Sequence, residues 1–236
     1  MLNHIRFSRS IRFALRSICF AWPIFAPLGA AAVTIPVAED ASVVESNPAG
    51  NYGTSSFDGG LFTGTDGTPT EARFYLKFQL PVLLPGTFVS SAILTGTYAN
   101  ELLDDFDGVH GIFLVAVDSW SELTLTWNTQ PGPTGGPLAT WDASLAPAPP
   151  VSQSFDLTTA VNLQYLSDGA ISLVFAALDD SQELTWEYWA SKEYTPADSG
   201  DLFSLDVTIA VVPEPATGLL IGLGLVALGA ASRRRT

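Results

Sequence analysis

Between Val33 and Val211, apolar and polar residues alternate in many short segments, the period of a half-buried β-strand. Residues 72–80 put Phe74, Leu76, Phe78 and Leu80 on one face, with Arg73, Tyr75, Lys77 and Gln79 on the other. Residues 202–210 turn Phe203, Leu205, Val207 and Ile209 inward, against Ser204, Asp206 and Thr208. The same period predicts strands over 41–45, 92–98, 112–117, 123–127, 154–157, 170–178 and 184–191. Turn chemistry separates them at Asn47-Pro48, Pro85-Gly86, Asp107-Gly108, Pro131-Gly132-Pro133 and Asp168-Gly169. Many short strands with Gly and Pro punctuation predict an all-β, jelly-roll-like antiparallel β-sandwich.

One segment has a different period. Leu157, Val161 and Tyr165 recur every fourth residue, which predicts a short helix over 157–166 with Asp156 as its cap and Gly169 as its stop. Two stretches read as loops. Residues 55–70 are rich in Gly, Thr and Asp, and residues 143–152 carry Pro147, Pro149 and Pro150. The second is read as a loop within one sandwich, because neither half alone has enough strands to cover both faces.

Composition adds a charge partition. The 236 residues contain one Cys, two His and a net charge of −14. Four Arg lie in the first 16 residues and three in the last four. Residues 33–212 hold three basic and 23 acidic side chains, a net charge of −20. Such a domain repels phosphate, which excludes nucleic acid as a partner.

The basic ends read as addresses. Arg6, Arg9, Arg12 and Arg16 precede an uncharged apolar stretch, and Ala30 and Ala32 form a small-x-small cleavage site before Val33. Residues 1–32 are therefore expected to be a secretory signal removed by signal peptidase, which would take Cys19 with it. At the other end, Val212-Pro213-Glu214-Pro215 precedes an uncharged run over 216–232, closed by Arg233-Arg234-Arg235. Seventeen helical residues reach roughly 25 Å, enough for a thin bilayer. The arginines should stay cytoplasmic and leave the domain outside.

This order of Pro-Glu-Pro, apolar helix and arginine cluster resembles the PEP-CTERM sorting tail of Gram-negative bacteria. The resemblance covers residues 212–236. It implies recognition of Pro213, Glu214 and Pro215 by an exosortase, transient anchoring in the inner membrane, and delivery to the cell envelope or extracellular matrix.

A second resemblance lies in the domain over 33–211. Asp40-Ala41, Asn51-Tyr52-Gly53-Thr54 and Tyr75-Leu76-Lys77-Phe78 come first. The run from Trp120 through Ser121, Glu122, Leu123, Thr124, Leu125, Thr126, Trp127, Asn128, Thr129 and Gln130 to Pro131 is the most specific element. Phe155-Asp156-Leu157-Thr158 and Ser191-Lys192-Glu193 follow. In this order they resemble the DNRLRE domain, a β-sandwich related to carbohydrate-binding modules, with Lys192 where the family often has Arg. The resemblance implies a secreted, non-catalytic domain that binds polysaccharide.

The residues narrow the chemistry further. His110 is the one histidine outside the signal segment, and it reads as a loop residue beside Gly108 and Gly111. One His without Cys cannot make the usual zinc set, and no Gly-x-Ser-x-Gly turn, Walker loop or dinucleotide fingerprint occurs. Paired carboxylates for glycoside cleavage can be drawn at will from 23 acidic residues, so they select nothing. No cofactor is required. Calcium is the metal that acidic loops favour, with Asp104, Asp105 and Asp107 as the densest cluster. Trp120 and Trp127 are expected at the core or its edge. Trp186 and Tyr188 share one face of a strand, opposite Glu187 and Trp189, and these three aromatics are the candidate platform for a sugar. The leading expectation is an exported polysaccharide-binding protein. Behind it stand a structural surface protein stiffened by calcium and, last, a polysaccharide-cleaving enzyme.

Overall fold

The computed structural model describes residues 30–54, 60–65, 70–101, 108–142, 150–165, 169–178, 187–193, 202–212 and 222–223. Its strands are β1 (Ala31–Pro36), β2 (Glu39–Val44), β3 (Gly60–Thr65), β4 (Glu71–Gln79), β5 (Thr87–Glu101), β6 (Val109–Val115), β7 (Pro133–Asp142), β8 (Val151–Asp156), β9 (Ala170–Ala177), β10 (Glu187–Ala190) and β11 (Ser204–Val211). One helix, α1 (Thr158–Gln164), follows β8. Every strand pairing among the described residues is antiparallel.

The strands form two layers. The first sheet joins β1 to β11, β11 to β5, and β5 to both β8 and β10. The second runs from β2 through β4, β9 and β6 to β7. β3 belongs to both. Its Gly60–Thr63 half pairs with β10, and Gly64 and Thr65 pair with β4. Gly64 sits at φ 128°, the positive region that only glycine enters readily, at the point where the strand changes sheets. The sequence reading of 55–70 as a loop is corrected here. Glycines and threonines concealed a strand whose pairing is decided by the two sheets it bridges.

The alternation predicted for β4 and β11 sets the interior. Phe74, Leu76 and Phe78 of β4 meet Phe203, Leu205 and Val207 at the edges of one core. Trp189 lies at its centre and is fully buried, stacked on Phe203 (5.5 Å between centroids, 27°) and edge-on to Trp141 (5.5 Å, 70°). Burial on this scale, about 25 cal/mol per Å² of apolar surface, is the main force holding the layers together.

Three further expectations change. Residues 123–127 alternate like a strand but turn instead, because the N–H groups of Thr124 and Leu125 both donate to the Ser121 carbonyl. The helix begins one residue later than predicted. Leu157 is its N-cap, and the Asp156 carboxylate accepts from the Thr158 N–H at 2.9 Å. β7, with its Pro-Thr-Gly-Gly-Pro start, has no period to betray it and is recruited by pairing with β6. β1 begins at Ala31, so cleavage after Ala32 would leave the Val33–Pro36 part of that strand on the mature chain.

Candidate functional site

The second sheet has a face that points away from the main core. Ala41, Val43, Tyr75, Val115 and Val174 lie on it, and the loop over 116–132 covers them with Trp120 and Leu125. This is the segment that carried the strongest resemblance, and its position follows from side chains far away in sequence. Asn51 Nδ2 donates to the carbonyls of Glu122 and Leu125, each at 2.7 Å. Gly53 lies so close beneath that a Cβ there would stand 1.9 Å from the Glu122 oxygen. The Trp120 indole donates to Ser172 Oγ at 3.0 Å, and Tyr75 Oη meets Gln130 Oε1 and the Pro131 carbonyl at 2.8 Å. Lys77 lies over the Trp120 ring at 4.4 Å, and Arg73 over Trp127 at 5.0 Å. Trp120 is buried and Trp127 half-buried, as expected of core-edge residues.

Beside this loop lies a charged knot. The Lys192 ammonium is 2.6 Å from Glu122 Oε2, pairs closely with Glu193, and stands 4.0 Å from Asp40 Oδ1. Asp40 is fully buried. Its Oδ2 accepts from the Lys192 N–H at 2.8 Å, while Oδ1 has no hydrogen bond. Burial pushes the Asp40 carboxyl well above its ordinary value, and the Lys192 backbone bond offsets only part of that. Glu39 takes Lys77 at 2.8 Å and the Glu122 N–H at 2.9 Å. Burial raises Glu39, yet these partners outweigh it and hold the group below the usual carboxylate range.

Carboxylate oxygens of Asp40, Glu122 and Glu193 lie within 4.8 Å of one another, the spacing of a cation site. The cation found among them is the ammonium of Lys192. The arrangement therefore works as a clasp that ties β2, the loop and the segment after β10. Asp40 has no exposed surface, so its carboxyl group does not reach solvent. Asp104, Asp105 and Asp107, the residues expected to hold calcium, lie outside the described residues.

The loop leaves a groove of about 300 Å³ on the protein surface. Ser119, Ser121, Thr124 and Thr129 line it together with Val117, Trp120, Leu125 and Pro131. None of these lining residues is charged. A lining that mixes hydroxyl-bearing with aromatic and aliphatic residues suits the alternating C–H faces and O–H rims of a neutral sugar.

The aromatic platform expected on β10 is only partly present. Trp189 is corrected to a core residue, because its face of the strand turns into the sandwich. Tyr188 is half-buried and stacks on Phe62 at 6.0 Å and 28°. Trp186 lies outside the described residues.

A second surprise sits inside. His110 is no loop residue but part of β6, 1% exposed, with Nε2 3.4 Å from Oε1 of the fully buried Glu187 on β10. The pair spans the two sheets, with the indoles of Trp141 and Trp189 beside Glu187. Burial pulls His110 down to about 4 and pushes Glu187 up to about 8, the latter offset in part by the two indoles. At neutral pH both groups are uncharged. No sequence signal joined them, since the pairing exists only across the core.

Of the sorting tail, only Gly222 and Leu223 are described, and they are helical and exposed. Pro213, Glu214, Pro215 and Arg233 to Arg235 lie outside the described residues. Among the described residues no helix is long and apolar enough to cross a membrane. Ala30 and Ala32 are exposed at the start of β1.

No curated protein matches the chain. The PEP-CTERM protein-sorting motif matches residues 211–235, and its family marks exported proteins of the Gram-negative envelope. The residues clasping the loop all lie within residues 31–212, the span from the first strand to the residue after the last that matches the model of carbohydrate-binding module family 96. The chain belongs to that family.

Proposed function

We propose that this is an exported, non-catalytic polysaccharide-binding domain that takes a neutral glycan in the groove over the 116–132 loop. The observation that carries the reading is the lining itself: four hydroxyl-bearing residues beside Trp120, with no charged residue, in a domain near −20. The net −20 of the domain opposes a strongly anionic glycan, and Arg73, Lys77 and Lys192 beside the loop are already engaged by carboxylates, so neutral chains are the favoured class. Signal peptidase would remove residues 1–32. The apolar run over 216–232 would then hold the domain at the inner membrane until an exosortase acts at Pro213-Glu214-Pro215.

Affinity electrophoresis of the chain against a panel of neutral and anionic glycans tests the reading. Retardation is expected with neutral chains, abolished by Ser119→Arg, and unaffected by Tyr188→Ala. Retardation that survives Ser119→Arg but is lost in Tyr188→Ala would move the site to β10. No retardation with any glycan overturns it, and shortening of a glycan would make the domain an enzyme.

A further inference from the structure

Six exposed apolar side chains of this domain gather at one end, whereas Leu123, Val117, Leu178, Val33 and Leu202 are scattered elsewhere. Val82 is 90% exposed and Leu84 70%, both in the connection from β4 to β5, and Leu163 of α1 is 59% exposed. Phe88 at the start of β5 and Val211 and Val212 at the end of β11 complete the group. Pairing places them together. Phe88 lies opposite Ala210 and Thr87 opposite Val211, while the Val212 N–H donates to the Gly86 carbonyl at 2.8 Å. Asn162, next to Leu163, bonds the N–H and C=O of Val89.

Both termini of the domain leave at this same end. Ile209 pairs with Ala31 on one side and Val89 on the other, so β1 begins where β11 finishes. The signal segment ends at Ala32, within the first residues of β1, and the apolar tail begins at Ala216. Only Pro213, Glu214 and Pro215 separate Val212 from that tail, a reach of at most roughly 14 Å.

Charge points the same way. Residues 17–38, 80–100, 157–167 and 207–213 contain no acidic or basic side chain, although the domain carries a net −20. A strongly acidic body is repelled by an anionic bilayer, and here the charge-free stretches of β1, β5 and β11 are the ones that meet at the tethered end.

We infer that this end is a membrane-resting surface: while the tail is in the bilayer, Val82 and Leu84 dip into the lipid interface and hold the sandwich upright, with its termini down. The occupant is a phospholipid bilayer, for which the short link to the tail leaves no room for a partner protein beneath the domain. Exposed aliphatic groups on a tight loop, next to an inserted segment, gain free energy by entering the headgroup boundary. The Val212–Gly86 bond then holds the start of the sorting motif against the resting loop. This inference rests on the tethering by the unprocessed tail proposed above.

The test uses the full chain with Cys19→Ser and a single cysteine at Val82, Leu84 or Ser46, each carrying an environment-sensitive fluorophore. Ser46 is the control. It lies at the far end of β4, where Glu45 N–H bonds the Glu71 carbonyl, a nine-residue strand away from Gln79. The chains are reconstituted in vesicles of phosphatidylethanolamine and phosphatidylglycerol and floated on a density gradient. Flotation, with blue-shifted emission and lipid-borne quenching at positions 82 and 84 but not 46, is expected. Flotation with water-like emission at 82 and 84 overturns the resting surface and leaves the tether standing. Failure to float removes the tether, and the inference falls with it. A blue shift that needs no lipid and grows with protein concentration would assign the patch to a second copy instead.

Discussion

Asn51 holds Glu122 by its backbone: the amide nitrogen of one donates at 2.7 Å to the carbonyl of the other, and to Leu125 as well. The loop that walls the proposed glycan groove is thus held from outside by a side chain on the β2–β3 connection. Asn51→Ala removes both bonds and leaves two carbonyls short of donors. A loss of about 1–3 kcal/mol is expected in urea denaturation. Amide exchange should quicken over 121–129, and glycan retardation should weaken in proportion.

Gly53 allows that approach. Any side chain there drives into the Glu122 carbonyl, where a Cβ would stand at 1.9 Å. Gly53→Ala should displace the loop and reduce near-ultraviolet circular dichroism from Trp120 and Trp127. Gly132→Ala, with open space around its Cβ, should leave both signals as they are.

Lys192 faces three carboxylates, one of them fully buried. Lys192→Met leaves Asp40 buried without a cation. The ammonium is itself part-exposed, so the loss should be moderate, about 1–3 kcal/mol. Lys192→Arg keeps the charge and should recover most of it. Thermal melts of the two variants check the order.

Glu187 sets a pH dependence. Its native carboxyl keeps its proton to about 8, while the unfolded chain releases it near 4.5. His110 works in reverse, refusing a proton until about 4 where the unfolded chain accepts one near 6.5. Between 4.5 and 6.5 the two effects cancel in proton count. Above 6.5 the native state holds one more proton than the unfolded state, so this pair makes stability fall as pH rises toward 8. Glu187→Gln should abolish a loss of about 1–2 kcal/mol across that window. Urea midpoints at pH 6 and pH 8 read it directly.

Trp189 is the largest side chain at the centre of the core. Trp189→Ala should cost about 3–5 kcal/mol. Trp189→Phe should cost less, and neither variant should alter glycan binding while folded, because the indole never reaches the surface. Glycan retardation of Trp189→Phe separates core from platform.

The same strand shows how far alternation can be read. Trp186, Tyr188 and Trp189 were visible as an aromatic cluster, and the period of two put Trp189 opposite Tyr188. Which face turned inward was not local information. The other layer decided it, by offering Phe74 and Phe175 to one side. The residues that carried the resemblance to a carbohydrate-binding fold were legible one by one as well. Their purpose was not. Asp40, Asn51, Gly53, Lys77, Glu122 and Lys192 hold a loop in place and do not line the groove that loop forms.

Alternation and turn residues are written in covalent geometry, since side chains of a strand must point to opposite sides wherever it lies. For that reason the β-rich sandwich, the long period-two strands, the helix after β8 and the charge-segregated ends could be read from the chain alone. Pairing is different. β3 and β7 have no period of their own, and they become strands because β10, β4 and β6 leave backbone donors and acceptors to be met. The His110–Glu187 pair, the Lys192 clasp and the apolar end beneath both termini join residues far apart in sequence. Their chemistry depends on burial and on distances of a few ångströms, and both come into being only when the layers close.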